Sequence, residues 1–264
     1  MTASGTALRL VVYRNSPVAG KYGSSPFVNK LEARLRLAGV PYRAVFGSKK
    51  QAPRGKFPYV GFEDSDELLS DTTSIFRRLV DDGILPDLNA NLTPTQKAQD
   101  LAVRALLEEK LYFFIVQERW IDNYYAMRPN ALAGMPFLLQ VVIGNIAYRT
   151  VKNALYYQGT GRLSAEEVRV LKQEAWENLA AILAEARINS QSAASQRSQG
   201  DPFWVLGGTQ PTEADAVVYG FIIGNLVCEA GPESRKMVKS LPVLVEYAKR
   251  IHSQYFGDYT GLDV

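Results

Sequence analysis

The sequence predicts two regions of different class: a small α/β unit over residues 1–90 and an all-helical unit over residues 91–264. Three observations carry this. Short runs of β-formers occur only in the first ninety residues. Helix-starting capping boxes stand at Thr93-Pro94-Thr95-Gln96, Ser164-Ala165-Glu166-Glu167 and Thr212-Glu213-Ala214-Asp215. The length of 264 residues suits one large domain or two small ones.

In the first region, Leu8 to Tyr13 is a short apolar run rich in β-formers and reads as a buried strand. A loop from Asn15 to Ser25 follows. After Pro26, apolar residues recur at Val28, Leu31, Leu35 and Ala38, which is helical spacing. Gly39 ends that helix and Pro41 prevents its resumption. Tyr42–Phe46 and Phe57–Phe62 read as strands, Glu67–Leu69 begins a fourth, and Thr73–Val80 is a short helix. The order β-α-β then β-β-α gives a small mixed sheet covered by helices.

In the second region, the first box opens a helix predicted to run to about Tyr125. The second opens one whose stripe is Val168, Leu171, Ala175, Leu179, Ile182 and Ala186. The third precedes the apolar run Ala216 to Ile223. Asn189 to Gly200 is Ser/Gln-rich without periodicity and is expected to be a mobile loop. The charge-free stretch Asn130 to Tyr148 approaches spanning length. Gly134, Pro136, Gln140, Gly144 and Asn145 interrupt it, so a buried helix is expected and no membrane span.

Composition excludes several functions. Thirty basic against 27 acidic residues leave +3, too mild to imply a nucleic-acid partner. One cysteine, Cys228, excludes an internal disulfide and a CxxC pair, and it reads as a buried small hydrophobe. One histidine, His252, excludes a two-His metal motif and is expected at the surface near a helix end. No metal cluster is apparent. Met1 to Ala7 lacks the pattern of a secretory peptide, so a reducing, cytoplasmic location is expected.

Four segments resemble the glutathione transferase family. Ser25-Pro26-Phe27-Val28-Asn29-Lys30-Leu31 is similar to the segment that opens the first helix of serine-type members. Gly55-Lys56-Phe57-Pro58-Tyr59-Val60 is similar to an element whose proline is cis. Leu69-Ser70-Asp71-Thr72-Thr73-Ser74-Ile75 resembles the acidic-Ser-x-x-Ile glutathione motif, with Thr72 where serine is usual. The Thr212–Asp215 box resembles the family's cap on a buried helix. Gln158-Gly159-Thr160-Gly161-Arg162 with the box after it, and the ending Tyr247 to Phe256, resemble the metaxin-like and failed-axon-connections-like branch, which has many fungal members. The resemblance implies a thioredoxin-like domain followed by an all-helical one, glutathione as co-substrate, and a homodimer.

The site residues follow. Ser25 lies at a helix start, where free N–H groups and the dipole favour an anion, and its hydroxyl can donate to a thiolate. The same serine can simply cap the helix; Ser24 and Tyr22 compete for the thiol contact. The resemblance implies that Lys56, Phe57 and Pro58 pair with the tripeptide backbone. Asp71 is expected to accept from its ammonium and Thr72 to hold its γ-glutamyl carboxylate, or either to cap a helix. Eight basic residues lie between Lys30 and Lys56 against one acid, Glu32; Lys49, Lys50 and Lys56 are the candidates for the glycyl carboxylate. Tyr112, Phe113, Val116, Trp120 and Tyr124 fall on adjoining helical turns, as core or as lining for an apolar acceptor. The function expected is thiolate addition to an apolar electrophile, with conjugation or double-bond isomerisation as outcomes. The alternative is a non-catalytic adaptor in a protein complex, such as one at the mitochondrial surface.

Overall fold

The sheet is assembled around the first apolar run. Strand β1 (Leu10–Arg14) pairs in parallel with β2 (Tyr42–Phe46) and antiparallel with β3 (Tyr59–Phe62), which pairs antiparallel with β4 (Ser65–Ser70). The order is β2-β1-β3-β4. The parallel pair needs a crossover, supplied by helix α1 (Pro26–Leu37), which ends at Gly39 with φ +68°. Helix α2 (Thr72–Asp81) follows β4. Leu10 and Val12 of β1 cluster with Leu31 and Leu35 of α1, Val60 of β3, and Ile75 and Leu79 of α2. This computed structural model describes residues 10–16, 18, 20–192, 200–260 and 262. Met1 to Ala7 lies outside them.

The remainder is helical. Helix α3 (Pro94–Ala105) continues through π-helical turns at Leu106–Leu111, α4 (Tyr112–Val116), further π turns at Gln117–Asp122, and α5 (Tyr124–Ala131). Then come α6 (Phe137–Gln158), α7 (Ala165–Ser192), α8 (Glu213–Val227), α9 (Pro232–Lys239) and α10 (Pro242–Tyr255). Helix α8 is the axis of the larger core, buried from Ala214 to Leu226 and wrapped by side chains such as Trp176, Leu179, Leu244 and Ile251. Its box forms: buried Asp215 accepts from Thr212 N–H (2.7 Å), Val205 N–H (2.8 Å) and the Tyr247 hydroxyl (2.8 Å). Burial pushes the Asp215 carboxyl up to about 6 against these bonds.

Helices α1 and α8 join the two regions. A Cβ at Gly220 would lie 2.6 Å from the Lys30 nitrogen and the Pro26 carbonyl, so only glycine permits this approach. Three bases of α1 reach across the seam: Lys30 to Glu108 (2.5 Å), Arg34 to Glu213 (2.6 Å) and Arg36 to Asp258 (2.5 Å).

Three expectations are corrected here. Lys30 and Arg34 are buried rather than part of a surface cluster, because acids of the helical region pair with them. Helix α7 runs through Asn189 to Ser192; the rest of the expected loop, residues 193–199, lies outside the described residues. The Asn130–Tyr148 stretch is not a buried helix. It turns at residues 132–136, and α6 then packs on the short turn at Thr160–Arg162, on the π turns at Gln117–Asp122 and on α5, burying Gly144 and Leu155 while its outward face stays exposed. Among the described residues no single helix is long and apolar enough to cross a membrane.

Candidate active site at one end of the sheet

Register places the predicted site residues together. Tyr59 pairs with Tyr13 near the end of β1 and with Ser70 at the end of β4. The chain before Tyr59, the chain after Arg14 and the turn after Ser70 therefore share one end of the sheet. Lys56, Phe57 and Pro58 precede Tyr59, and Phe57–Pro58 is cis, as the resemblance implied. The loop after β1 leads to Ser25 and the N-terminus of α1, and the turn after β4 is Asp71-Thr72, the N-terminus of α2. Two helix starts of partial positive charge thus share this end of the sheet with the Phe57–Pro58 segment.

The loop that delivers Ser25 is held from below. Three of its carbonyls accept from buried side chains: Lys21 from Arg14 (2.5 Å), Gly23 from Asn29 (2.9 Å) and Ser24 from Arg119 (2.7 Å). Ser25 caps α1, its oxygen accepting from Val28 N–H at 3.4 Å. That contact uses a lone pair only, so the hydroxyl proton stays available to an acceptor in the cleft. Capping α1 therefore leaves this hydroxyl free to donate.

Tyr22 is corrected as a candidate for the thiol contact. Its hydroxyl is engaged with those of Tyr219 (2.6 Å) and His252 Nδ1 (2.7 Å), its ring packs on Phe256 and Tyr259, and burial pushes its pKa up. A hydroxyl so desolvated and paired belongs to the core. His252 is correspondingly half-buried and bonded rather than a free surface residue.

Asp71 is the cap of α2, accepting from Ser74 N–H at 3.0 Å. Its φ of +71° is rare for a residue with a side chain and marks a turn held by its surroundings. Its second carboxylate oxygen lies 4.0 Å from Arg54 and the side chain is open to solvent. Thr72 is buried, and its hydroxyl accepts from Lys30 Nζ at 2.9 Å. An ammonium only donates. The Thr72 O–H is therefore left to donate to an acceptor. Lys49, Lys50, Arg54 and Lys56 are the exposed cations of the loop between β2 and β3.

The aromatic stripe divides. Tyr112 meets the Phe27 ring at 5.0 Å, two residues from Ser25, and Phe113 meets Tyr112 at 5.4 Å; both are half-buried. Val116 is also half-buried. Trp120 instead packs on Met127, Cys228 and Ala230. Tyr124 is buried against Tyr148 of α6. These last two pack within the helical region. Arg119 is the residue that sequence reasoning missed: wholly buried, it bonds Ser24 O, Gly224 O (2.8 Å) and Asn225 Oδ1 (3.1 Å). Its one signal is a cation between the apolar stretch Leu111–Val116 and Trp120-Ile121.

Comparisons with known proteins agree with this geometry. Residues 26–127 match the model of the glutathione S-transferase N-terminal domain. The chain is 26% identical over 256 residues to the isoprene-epoxide–glutathione S-transferase of Rhodococcus sp. (strain AD45), covering 93% of this chain and 99% of that protein. Among solved structures, a glutathione transferase from Phanerochaete chrysosporium superposes with TM-score 0.56 at 16% identity, over 97% of this chain and 99% of that one. A glutathione S-transferase from Methylobacterium radiotolerans, in complex with glutathione sulfonate, superposes with TM-score 0.54 at 14% identity, over 96% of each. In sequence over the matched segment and in fold throughout, the chain is glutathione S-transferase-like.

Proposed function

We propose that the chain is a glutathione-dependent transferase that adds the thiolate to an apolar electrophile. The observation that carries this reading is the meeting of Ser25, the Phe57–Pro58 edge and the Asp71-Thr72 turn at one end of the sheet. Glutathione presents a thiol, two carboxylates and an ammonium. Ser25 at the mouth of α1 stabilises the thiolate, since a donor and a helix dipole favour the anion. The Thr72 hydroxyl, its polarity fixed by Lys30, donates to the γ-glutamyl carboxylate, and Asp71 accepts from the ammonium. Lys49, Lys50 and Lys56 supply charge for the glycyl carboxylate.

The acceptor rests against Phe27, Tyr112 and Phe113. The printed activity of the Rhodococcus protein on an epoxide supports a small apolar electrophile. With an epoxide, the sulfur bonds to a ring carbon, the carbon–oxygen bond breaks, and the alkoxide takes a proton. With a conjugated double bond, addition, rotation and elimination return free glutathione and an isomerised product. Recovery of the thiol separates the two outcomes. The assembly is read as a cytoplasmic homodimer. The finer placement in the metaxin-like branch, with an adaptor role, loses weight because an adaptor has no need of both hydroxyls at these helix starts.

Thiol consumption with an epoxide and with a conjugated enone, alongside calorimetry with reduced glutathione, tests the reading. Ser25→Ala is expected to lower turnover by about 10² while glutathione still binds. Turnover unchanged in Ser25→Ala removes that residue from the chemistry, and a titration without heat of binding sinks the enzyme reading altogether.

A further inference from the structure

We propose, building on the glutathione reading above, that Arg119 is a positioning residue for the thiolate. Its guanidinium polarises the Ser24–Ser25 peptide and gives the site a positive charge that no carboxylate cancels. Five cations are buried among the described residues: Arg14, Lys30, Arg34, Arg119 and Lys172. Four have a carboxylate of their own, Arg14 with Glu32 (3.3 Å), Lys30 with Glu108 (2.5 Å), Arg34 with Glu213 (2.6 Å) and Lys172 with Glu118 (2.6 Å). Among these five, Arg119 alone bonds only neutral oxygens, those of Ser24 (2.7 Å), Gly224 (2.8 Å) and the Asn225 amide (3.1 Å), and its Nε has no partner. The neighbouring Glu118 is taken by Lys172, by the Ser234 hydroxyl and by the Glu233 and Ser234 N–H groups. Removing a cation from water without a counter-ion is costly. Burial draws Arg119 below its ordinary range, yet an arginine keeps its proton. An uncompensated charge so placed favours any anion that arrives beside it.

The route from Arg119 to the cleft is one peptide long. The Ser24 carbonyl and the Ser25 N–H belong to the same peptide unit, so a guanidinium on the oxygen strengthens the N–H as a donor. That N–H stands at the cap of α1, where the sulfur is to be held. Helix α8 closes the other side of the turn: a Cβ at Gly224 would lie 3.2 Å from Pro26 and 3.3 Å from the Ser24 oxygen. Arg119 therefore fastens the turn to α8 through one carbonyl on each. Its charge also reaches the acceptor wall. Burial raises the pKa of Tyr112, whose ring lies against Phe27, and Arg119 pulls it back down. The charged and titratable groups facing Arg119 are Tyr112, Cys228 and Glu118, the last already paired with Lys172.

The acidity of the bound thiol tests this role. Thiolate absorbance, glutathione complex minus free protein, is titrated with pH for wild type, Arg119→Gln, Arg119→Lys and Asn225→Asp, and kcat/KM with an epoxide is followed over the same range. The thiol proton passes to solvent, so the titration reads the sulfur. Arg119→Gln removes the charge and is expected to raise the thiol pKa by about one unit, lowering kcat/KM up to ~10-fold at neutral pH. The loss should close once pH exceeds the raised thiol pKa, whereas a merely structural loss persists at every pH. Arg119→Lys keeps the charge and should recover most of the thiol acidity. Asn225→Asp keeps the arginine and puts a carboxylate where an amide oxygen already receives it. It should shift the thiol the same way, and it decides the matter if Arg119→Gln fails to fold. A wild-type thiol pKa in the charge-cancelling variants, or a loss equal at every pH, overturns the role of Arg119 and leaves the enzyme reading standing. A wild-type protein that binds no glutathione removes both.

Discussion

The seam between α1 and α8 and the hairpin of α5 and α6 reverse what composition suggests. Helix α1 is studded with Lys30, Glu32, Arg34 and Arg36, yet three of those four are fully buried. The stretch from 129 to 148 has no charge, yet most of its outward side chains meet solvent. Partner supply explains both. Glu108, Glu213 and Asp258 arrive from distant parts of the chain to receive the bases of α1. The hairpin packs mainly on its own two limbs and the adjoining turns, with Met127 reaching Cys228 and Ala230. A charged helix is buried when opposite charges converge on it, and an apolar helix stays exposed when nothing packs against it.

The largest way to break the seam is to strand a charge. Arg34 donates to Glu213 at 2.6 Å and to the Pro86 carbonyl at 2.5 Å, and burial holds the Glu213 pKa above its ordinary value while Arg34 pulls it down. Arg34→Met leaves that carboxylate without its partner in a desolvated site. A loss of about 3 kcal/mol is expected in urea unfolding at neutral pH. Adding Glu213→Gln should restore part of it; no restoration means that the packing of Arg34, not its charge, was lost.

Two glycines sharpen the comparison. At Gly220 an added Cβ meets backbone atoms at 2.6 Å; at Gly144 it meets the Tyr124 hydroxyl at 2.5 Å and Arg128 Cδ at 2.8 Å, the movable parts of two side chains. Backbone cannot swing aside, whereas a side chain can shift by rotation about its own bonds. Gly220→Ala is therefore expected to lose about 2 kcal/mol and to weaken glutathione turnover, because Pro26 beside Ser25 must shift. Gly144→Ala should stay within about 1 kcal/mol. Equal losses would erase the distinction between the two packings.

Much of this architecture was legible in the chain. The β-α-β spacing, Gly39 after α1 and the capping boxes are local signals, and each marks an element the structure contains. The grouping of Ser25, Pro58 and Thr72 came from motif order rather than from spacing, because register between strands is a non-local property. What escaped was long-range pairing. Nothing near Lys30 announces Thr72 or Glu108, and nothing near Arg119 announces Ser24, 95 positions earlier. Tyr22 looked like a cleft hydroxyl until Tyr219 and His252, some 200 residues on, were brought to it.

That last cluster gives a smaller, pH-dependent test of the seam. Burial holds His252, the chain's single histidine, below its ordinary value, with Asp258 pulling the other way. Below the unfolded value of about 6.5 the unfolded chain then binds more protons than the folded one. Stability from this group is present above that pH and is lost as pH falls through the folded value. His252→Gln should flatten the fall in melting temperature between pH 7 and pH 5 by a few degrees at most, since the half-buried ring keeps part of its hydration. A slope unchanged by the substitution would place the acid sensitivity in another group.

The hairpin should show the smallest effect of all. Leu138, Val142 and Ile146 have no neighbours on their outward side, so replacing them with glutamine removes little burial and keeps a good helix former. Each change is expected within about 0.5 kcal/mol of wild type, against several for one arginine in the seam. If the triple variant instead unfolded early in urea, those side chains would be covered in solution. A second measurement, at tenfold lower protein concentration, then separates the causes: loss of a contact between copies makes the wild type concentration-dependent, whereas closure of the hairpin onto its own chain does not.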